Sequence, residues 1–182
     1  MGDSSFSFSP MRPAVLVVAA GRGTRLGGGL PKQYRGLGGE PVLRHTLRTL
    51  LTHPLLRQVM VVIHPDDTAL YRDAVGELPL LPPVHGGAER QESVLNGLEA
   101  LAALDPAPTH VLIHDAARPD LPIGVIDRLI GATVSAPAAI PVLPIVDTVK
   151  RADGIEITST EDRKTLFRAQ TPQAFQFGPL LE

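Results

Sequence analysis

Pro13-Ala-Val-Leu-Val-Val-Ala-Ala-Gly-Arg-Gly-Thr-Arg-Leu-Gly-Gly-Gly-Leu-Pro-Lys32 is the stretch that decides the fold. Its first seven residues, Pro13 to Ala19, are apolar without alternation. That pattern marks a strand buried on both faces of a parallel sheet. The remainder carries glycines at 21, 23, 27, 28 and 29 and three cations, Arg22, Arg25 and Lys32. Glycines let backbone N–H groups approach an anion closely, so polyphosphate is the ligand these residue types suit. Two familiar phosphate motifs are excluded. Leu26 stands where the dinucleotide fingerprint needs its last glycine, and Lys32 follows Pro31 where a Walker motif needs glycine. A glycine turn with merely solvated arginines is the plainer alternative.

Outward from this strand the chain alternates between helical and strand patterns. Pro41 to His53 has helical spacing in Val42, Leu43, Leu47, Leu50 and Leu51, and Val59 to Ile63 reads as a second buried strand. Asp66 to Val75 reads as a short helix capped by Asp66 or Asp67. Gln91 to Leu104 puts Val94, Leu95, Leu98, Leu101 and Leu104 on one helical stripe, and Val111 to His114 is a strand closed by Asp115. Ile123 to Val134 reads as helix. Ala138 to Val146 reads as a strand broken by prolines, irregular or near an edge. The rhythm predicts an α/β three-layer sandwich with a mostly parallel, Rossmann-like sheet. Residues 1–12 are expected to be a disordered leader and 13–182 a single domain. Asp147 to Phe177 is polar and turn-rich, and is expected to leave the sheet as a β-arm. An arm of that size cannot bury its own apolar face, so it is expected to pack on another subunit.

Composition narrows the classes further. The 182 residues include no cysteine, which excludes a disulfide scaffold, a cysteine-ligated metal and a thiol nucleophile. Hydrophobic residues make up 43% and charged residues 20%, a globular balance. A formal charge of −2 supplies no global field toward nucleic acid or membrane. Met1 to Pro10 has no basic and apolar signal pattern, so the cytoplasm is the expected address. The six histidines show no ligand spacing, and His114 reads as structural.

In open α/β sheets, ligands gather at the carboxyl ends of the strands. Two further loops fall there. Gly86-Gly-Ala-Glu-Arg-Gln-Glu-Ser-Val94 sets two glycines before a helix N-terminus, which favours an anion or a polar base edge. Its plain alternative is a capping segment served by Ser93 or Glu92. His114-Asp-Ala-Ala-Arg-Pro119 sets a carboxylate and a guanidinium just past a buried strand. Asp115 suits Mg²⁺ or a ribose hydroxyl, and an Asp115–Arg118 ion pair is the structural alternative.

The string A-A-G-x-G-T-R-L followed by P-K resembles the signature of the sugar-nucleotide and related nucleotidyltransferases. Within that group, P-K-Q-Y (Pro31 to Tyr34), G-G-x-x-R-x-x-S-V-x-x-G-L (Gly86 to Leu98) and H-D-A-A-R-P (His114 to Pro119) resemble the 2-C-methyl-D-erythritol 4-phosphate cytidylyltransferase family of the non-mevalonate isoprenoid pathway. D-T-V-K-R (Asp147 to Arg151), Asp162-Arg163 and Q-T-P-Q-x-F (Gln170 to Phe175) continue the match in order.

The resemblance implies transfer of CMP from CTP to the phosphate of methylerythritol phosphate, with release of pyrophosphate. Arg25 and Lys32 match the cations that stabilise the transition state. Ala19, Ala20, Gly21 and Gly23 match nucleotide-lining positions, and Gly87, Ala88 and Ser93 match those that read cytosine. Asp115, Ala116 and Arg118 would meet the ribose and the second substrate. Thr148, Arg163 and Thr171 match positions on an arm exchanged across a homodimer, with Arg163 orienting the attacking phosphate. Mg²⁺ is implied as a bridge on the triphosphate, with Asp115 its one protein candidate. The family's last strand and helix, with an N-x-K-[IV]-T segment, have no counterpart before Glu182, so they are expected to be missing from this chain. Another nucleotidyltransferase of the same fold and a truncated, non-catalytic nucleotide-binding module are the alternatives.

Overall fold

A computed structural model describes residues 11–22 and 29–181. Strand β1 (Pro13–Val18) runs into the glycine-rich segment. A one-turn 3-10 helix (Lys32–Tyr34) and a hairpin of β2 (Gly36–Leu37) and β3 (Glu40–Pro41) then lead to helix α1 (Val42–Leu51). β4 (Gln58–Ile63) is followed by a 3-10 turn (Pro65–Asp67), α2 (Thr68–Val75) and β5 (Val84–His85). Next come α3 (Arg90–Ala102), β6 (His110–Asp115), α4 (Ile123–Ala132) and β7 (Ala138–Ala139). β8 (Val142–Pro144), β9 (Lys150–Asp153), β10 (Glu156–Thr160) and β11 (Phe167–Ala169) precede β12 (Gln173–Gln176) and α5 (Phe177–Leu181).

Six strands form one sheet in the order β5-β4-β1-β6-β12-β7. β5, β4, β1 and β6 are parallel, and β12 runs antiparallel to both of its neighbours. Successive side chains of a strand point to opposite faces, so β1 divides its apolar residues between two cores. Val15 and Val17 meet Leu43, Leu47, Leu50, Tyr71, Ile126 and Ile130 of α1, α2 and α4. Ala14 and Leu16 meet Leu98, Leu101 and Phe177 of α3 and α5. The expected three-layer α/β sandwich with a mostly parallel sheet is therefore present. No helix among the described residues is long and apolar enough to cross a membrane.

Several boundaries differ from the sequence reading. Met11 and Arg12 belong to the domain and not to a leader. Met11 packs on the core, and the backbones of Arg12 and Thr109 are joined, with the Arg12 N–H also 2.8 Å from the Thr109 hydroxyl. Residues 1–10 lie outside the described residues. The arm is displaced from its expected range of 147–177. It starts at Val142, where β8 pairs with β11, and carries the exposed β9–β10 hairpin beyond. Its expected last part, Gln173–Gln176, is instead an antiparallel strand of the main sheet beside β6. The reason is alternation: Ala174 is buried while its neighbours are only partly so, which suits a strand with one covered face. Ile155, Ile157 and Val146 stand exposed on the arm.

Packing between α3 and the sheet is closest at Gly97. A Cβ there would come within 2.8 Å of both Leu16 Cδ2 and Val62 Cγ2, which are fully buried residues. Gly97→Val is expected to destabilise the domain by about 1–3 kcal/mol through overpacking. Thermal denaturation would read this as a lower midpoint; an unchanged midpoint would contradict the packing.

Candidate active site

The chain moves from β1 outward to β4 and β5, then returns to β6 on the other side of β1. A crevice opens outside the carboxyl ends of strands at such a reversal. All three candidate loops end there. Each loop prolongs the ladder by one bond: Ala19 N–H to the Val62 carbonyl at 2.7 Å, Gly86 N–H to Ile63 at 2.8 Å, and Ala116 N–H to Val18 at 3.2 Å.

The opening of the first loop is held by side chains. Gln33 is buried, and its amide donates to the Ala19 carbonyl at 2.6 Å and the Gly21 carbonyl at 3.3 Å. Both backbone groups of Ala19 are thus engaged within the chain. Arg22 is also committed. It lies 2.8 Å from Asp66, 2.8 Å from the buried carboxylate of Asp67 and 2.7 Å from His64 Nδ1. Asp67 stands at the N-cap of α2, as expected, but makes no side-chain cap bond; the carboxylates of Asp66 and Asp67 face the arginine, and His64 Nδ1 accepts the Asp66 N–H. Lys32 is exposed between the buried Pro31 and Gln33; its carbonyl accepts the Arg35 N–H at 3.3 Å, while its amino group forms no hydrogen bond or ion pair among the described residues. Gly23 and Arg25 lie outside the described residues.

The second loop packs against the first. A Cβ on Gly86 would come 2.5 Å from Ser93 Oγ and 2.6 Å from Ala20 Cβ, so only glycine permits this approach. Ser93 is buried; its hydroxyl accepts the Gly87 N–H at 3.2 Å and donates to the Glu89 carbonyl at 3.0 Å. The Ala88 N–H goes to Glu92 at 2.7 Å, and Glu89 with Glu92 forms a capping box on α3. The capping alternative is therefore realised, and it engages the N–H groups of Gly87 and Ala88.

Asp115 anchors the third loop. Its two oxygens meet Arg90 at 3.0 Å and Arg118 at 3.1 Å. The ion pair foreseen with Arg118 is present, and Arg90 extends it to α3. Arg90 and Gln33 were not singled out from the sequence as site residues; their significance lies in contacts between loops, which spacing does not report. Ala116 is buried, its carbonyl accepting the Thr46 hydroxyl at 2.9 Å. Thr171 joins the loop through the Asp115 N–H at 3.3 Å. A cavity of about 480 Å³ opens beside Arg118 and Thr171, with Arg128 on its wall. Thr148 and Arg163 lie on the exposed arm, where Arg163 donates to the Val146 carbonyl. No hydrogen bond or ion pair links either residue to Lys32, Asp115 or Arg118 among the described residues.

A resident metal does not fit these side chains. No group of three or more His, Cys, Asp or Glu suited to a metal exists among the described residues, and both Asp115 oxygens face guanidinium groups.

A family model for 2-C-methyl-D-erythritol 4-phosphate cytidylyltransferase (IspD) matches residues 14–182. The bifunctional enzyme IspD/IspF of Paramagnetospirillum magneticum is 52% identical over 170 residues, covering 93% of this chain and 44% of that protein. Its counterpart from Rhodospirillum rubrum is 53% identical over 169 residues, covering 92% and 44%. The chain thus spans less than half the length of these curated relatives. The crystal structure of 4-diphosphocytidyl-2C-methyl-D-erythritol synthase from Anaerococcus prevotii superposes with a TM-score of 0.78 at 28% identity, over 94% of this chain and 74% of that one.

The P-K-Q-Y tyrosine provides a pH test of the site's floor. Burial, then the charge of Asp67, pushes the Tyr34 hydroxyl well above its ordinary value of 10.0, and burial raises Tyr71 as well. These are the only two tyrosines in the chain. Because the folded pKa values are the higher ones, the associated stability is complete below pH 10.0 and is lost as the pH rises beyond it. Ultraviolet titration is expected to show tyrosinate only together with unfolding. Tyrosinate forming at pH 10 in the folded protein would contradict this burial.

Proposed function

This chain belongs to the 2-C-methyl-D-erythritol 4-phosphate cytidylyltransferase family, and from that premise we propose that it transfers CMP from CTP to 2-C-methyl-D-erythritol 4-phosphate, forming 4-diphosphocytidyl-2-C-methyl-D-erythritol and pyrophosphate. One observation carries the reading. Two glycine-bearing loops and the Asp115–Arg118 turn, each carrying at least one cation, converge at the reversal of strand order, and the Lys32 side chain stands there exposed and unpaired among the described residues, beside the glycine-rich segment.

In this reading the triphosphate lies along the glycine-rich segment, and the base rests near Ala20, Gly86, Gly87 and Ser93. An acceptor phosphate oxygen attacks the α-phosphorus as the bond to the pyrophosphate oxygen breaks. Negative charge accumulates on the five-coordinate phosphorus, so fixed cations there lower the barrier more than they aid ground-state binding. Lys32 and Arg25 supply them. Asp115 and Arg118 orient the ribose and the acceptor, and Thr171 sits at the acceptor side. Magnesium would accompany the triphosphate as its counter-ion. Two anions must meet, so the acceptor phosphate needs a cation of its own. Arg163 and Thr148 take that position from the arm of a second copy. The exposed apolar residues of the arm, Val146, Ile155 and Ile157, support a homodimer. A cysteine-free chain acting on small phosphorylated metabolites suits the cytoplasm.

Lys32→Ala is expected to lower turnover by about 100-fold or more with the fold intact, the scale for loss of one transition-state donor. A loss below about tenfold in acceptor-dependent pyrophosphate release would remove Lys32 from that role. GTP or dTTP outcompeting CTP would favour another nucleotidyltransferase. Arg163→Ala is expected to raise the KM for the acceptor more than that for CTP. Mixed dimers of Lys32→Ala and Arg163→Ala chains are expected to regain part of the activity; confirmed heterodimers without regain would show that each site is built within one chain.

A further inference from the structure

Beneath the acceptor side lies a closed circuit of hydrogen bonds centred on His114. The ring is 1% exposed at the end of β6. Nε2 is 3.0 Å from the Arg118 carbonyl, and Nδ1 is 3.1 Å from the Thr171 hydroxyl. A carbonyl only accepts, so Nε2 carries the proton. Nδ1 is then a lone pair, and the Thr171 hydroxyl donates to it. The oxygen of Thr171 accepts the Asp115 N–H at 3.3 Å, and the Arg118 N–H closes the turn on the Asp115 carbonyl at 3.2 Å. Each polar atom in the circuit thereby has one defined role. Arg118 reinforces it from above by donating to Gln170 at 2.7 Å.

The surroundings agree with a neutral ring. Burial holds the imidazole below the ordinary histidine range. The charged groups near it are Asp115 and Arg118 of its own loop, with Arg90 of α3 behind Asp115. From α1 come hydroxyls alone, Thr46 to the Ala116 carbonyl and Thr49 to the Pro119 carbonyl. A proton on Nδ1 would face the Thr171 hydroxyl donor to donor, and the hydroxyl would have to turn away. The ring therefore couples two segments that are 57 residues apart in sequence. One carries Asp115 and Arg118, and the other is where the arm rejoins the sheet.

We propose that His114 is a positioning residue for the acceptor side: a neutral, Nε2-protonated imidazole that fixes the spacing between the Asp115–Arg118 turn and Thr171. This rests on the cytidylyltransferase reading and deepens it. The two ring nitrogens are separable by substitution. His114→Gln places an amide near Nε2 and keeps the donor to Arg118, whereas His114→Asn places an oxygen near Nδ1 and keeps the acceptor for Thr171. Each is expected to raise the KM for the acceptor about tenfold, the equivalent of one net hydrogen bond. The KM for CTP is expected to change less than about twofold. His114→Phe, with the ring's shape and neither nitrogen, is expected to exceed both.

The experiment pairs steady-state kinetics of the three variants with ¹⁵N NMR of histidine-labelled, unsubstituted protein. NMR is expected to show a neutral His114 protonated at Nε2 at pH 7. A ring charged there, or protonated at Nδ1, would overturn the proposal whether or not the protein turns over. Equal rises in both KM values, or a fall in kcat alone, would also overturn it by reducing His114 to general scaffolding. Absence of acceptor-dependent pyrophosphate release from the unsubstituted protein would instead defeat the cytidylyltransferase reading, and the NMR result would still decide where the proton sits.

Discussion

Burial of β1 on both faces is the constraint on which the rest of the structure depends. A strand with Ala14 and Leu16 in one core and Val15 and Val17 in the other leaves no solvent-facing side. Its neighbours must be parallel strands with helices on both sides, because each connection has to cross a face of the sheet. β4 takes one side of β1 and β6 the other. The ends of these strands then share one edge, and the loops leaving them have to lie together. The chemistry sits where it does because the apolar run before it permits no other exit.

Charge is distributed unevenly over that edge. Arg22 is held by Asp66, Asp67 and His64, and Arg90 and Arg118 share Asp115. Partly exposed pairs of this kind contribute little stability, with a median of about 0–1 kcal/mol. Their effect is on shape. Arg22 joins the start of the glycine-rich segment to the turn after β4, and Asp115 joins the turn after β6 to the first residue of α3. These cations are already oriented, whereas Lys32 pairs with no carboxylate among the described residues, so an anion reaching it would have none to displace. Positioned charge of this kind needs little reorganisation when charge develops on a substrate.

The fold was largely legible because its signals were periodic. The buried runs at Pro13–Val18, Gln58–Ile63 and His110–Asp115 have no alternation, and α1, α3 and α4 carry clear apolar stripes. What escaped was short or one-sided. β5 has two residues, and β12 covers only Ala174 fully, so neither makes a pattern long enough to read. In the site, the motifs located the loops but could not say how their polar groups are shared. Ala88 and Ser93 read as base-contacting residues, and in the structure they also complete the cap of α3. Spacing singles out nothing at His53, which is buried with Nε2 3.0 Å from Asp127. Gln33, Arg90 and the partners of His114 act through tertiary contacts, which no spacing rule encodes.

The two halves of the site differ in how they are built, and the difference has a physical origin. The half formed by the first two loops is made of backbone and small residues pinned by the ladder, so its geometry follows from the sheet. The half around the third loop is made of long side chains on the Asp115–Arg118 turn and on the segment where an exposed arm returns. Long side chains lose more rotamer entropy when ordered, and the arm buries little apolar surface to offset that cost. Order on this side has to come from directional bonds. Those that link the Asp115–Arg118 turn to the Gln170–Thr171 segment pass through His114, Thr171 and the Arg118–Gln170 pair. A ring with one donor and one acceptor joins two segments in a single orientation, which a symmetric donor such as lysine could not do.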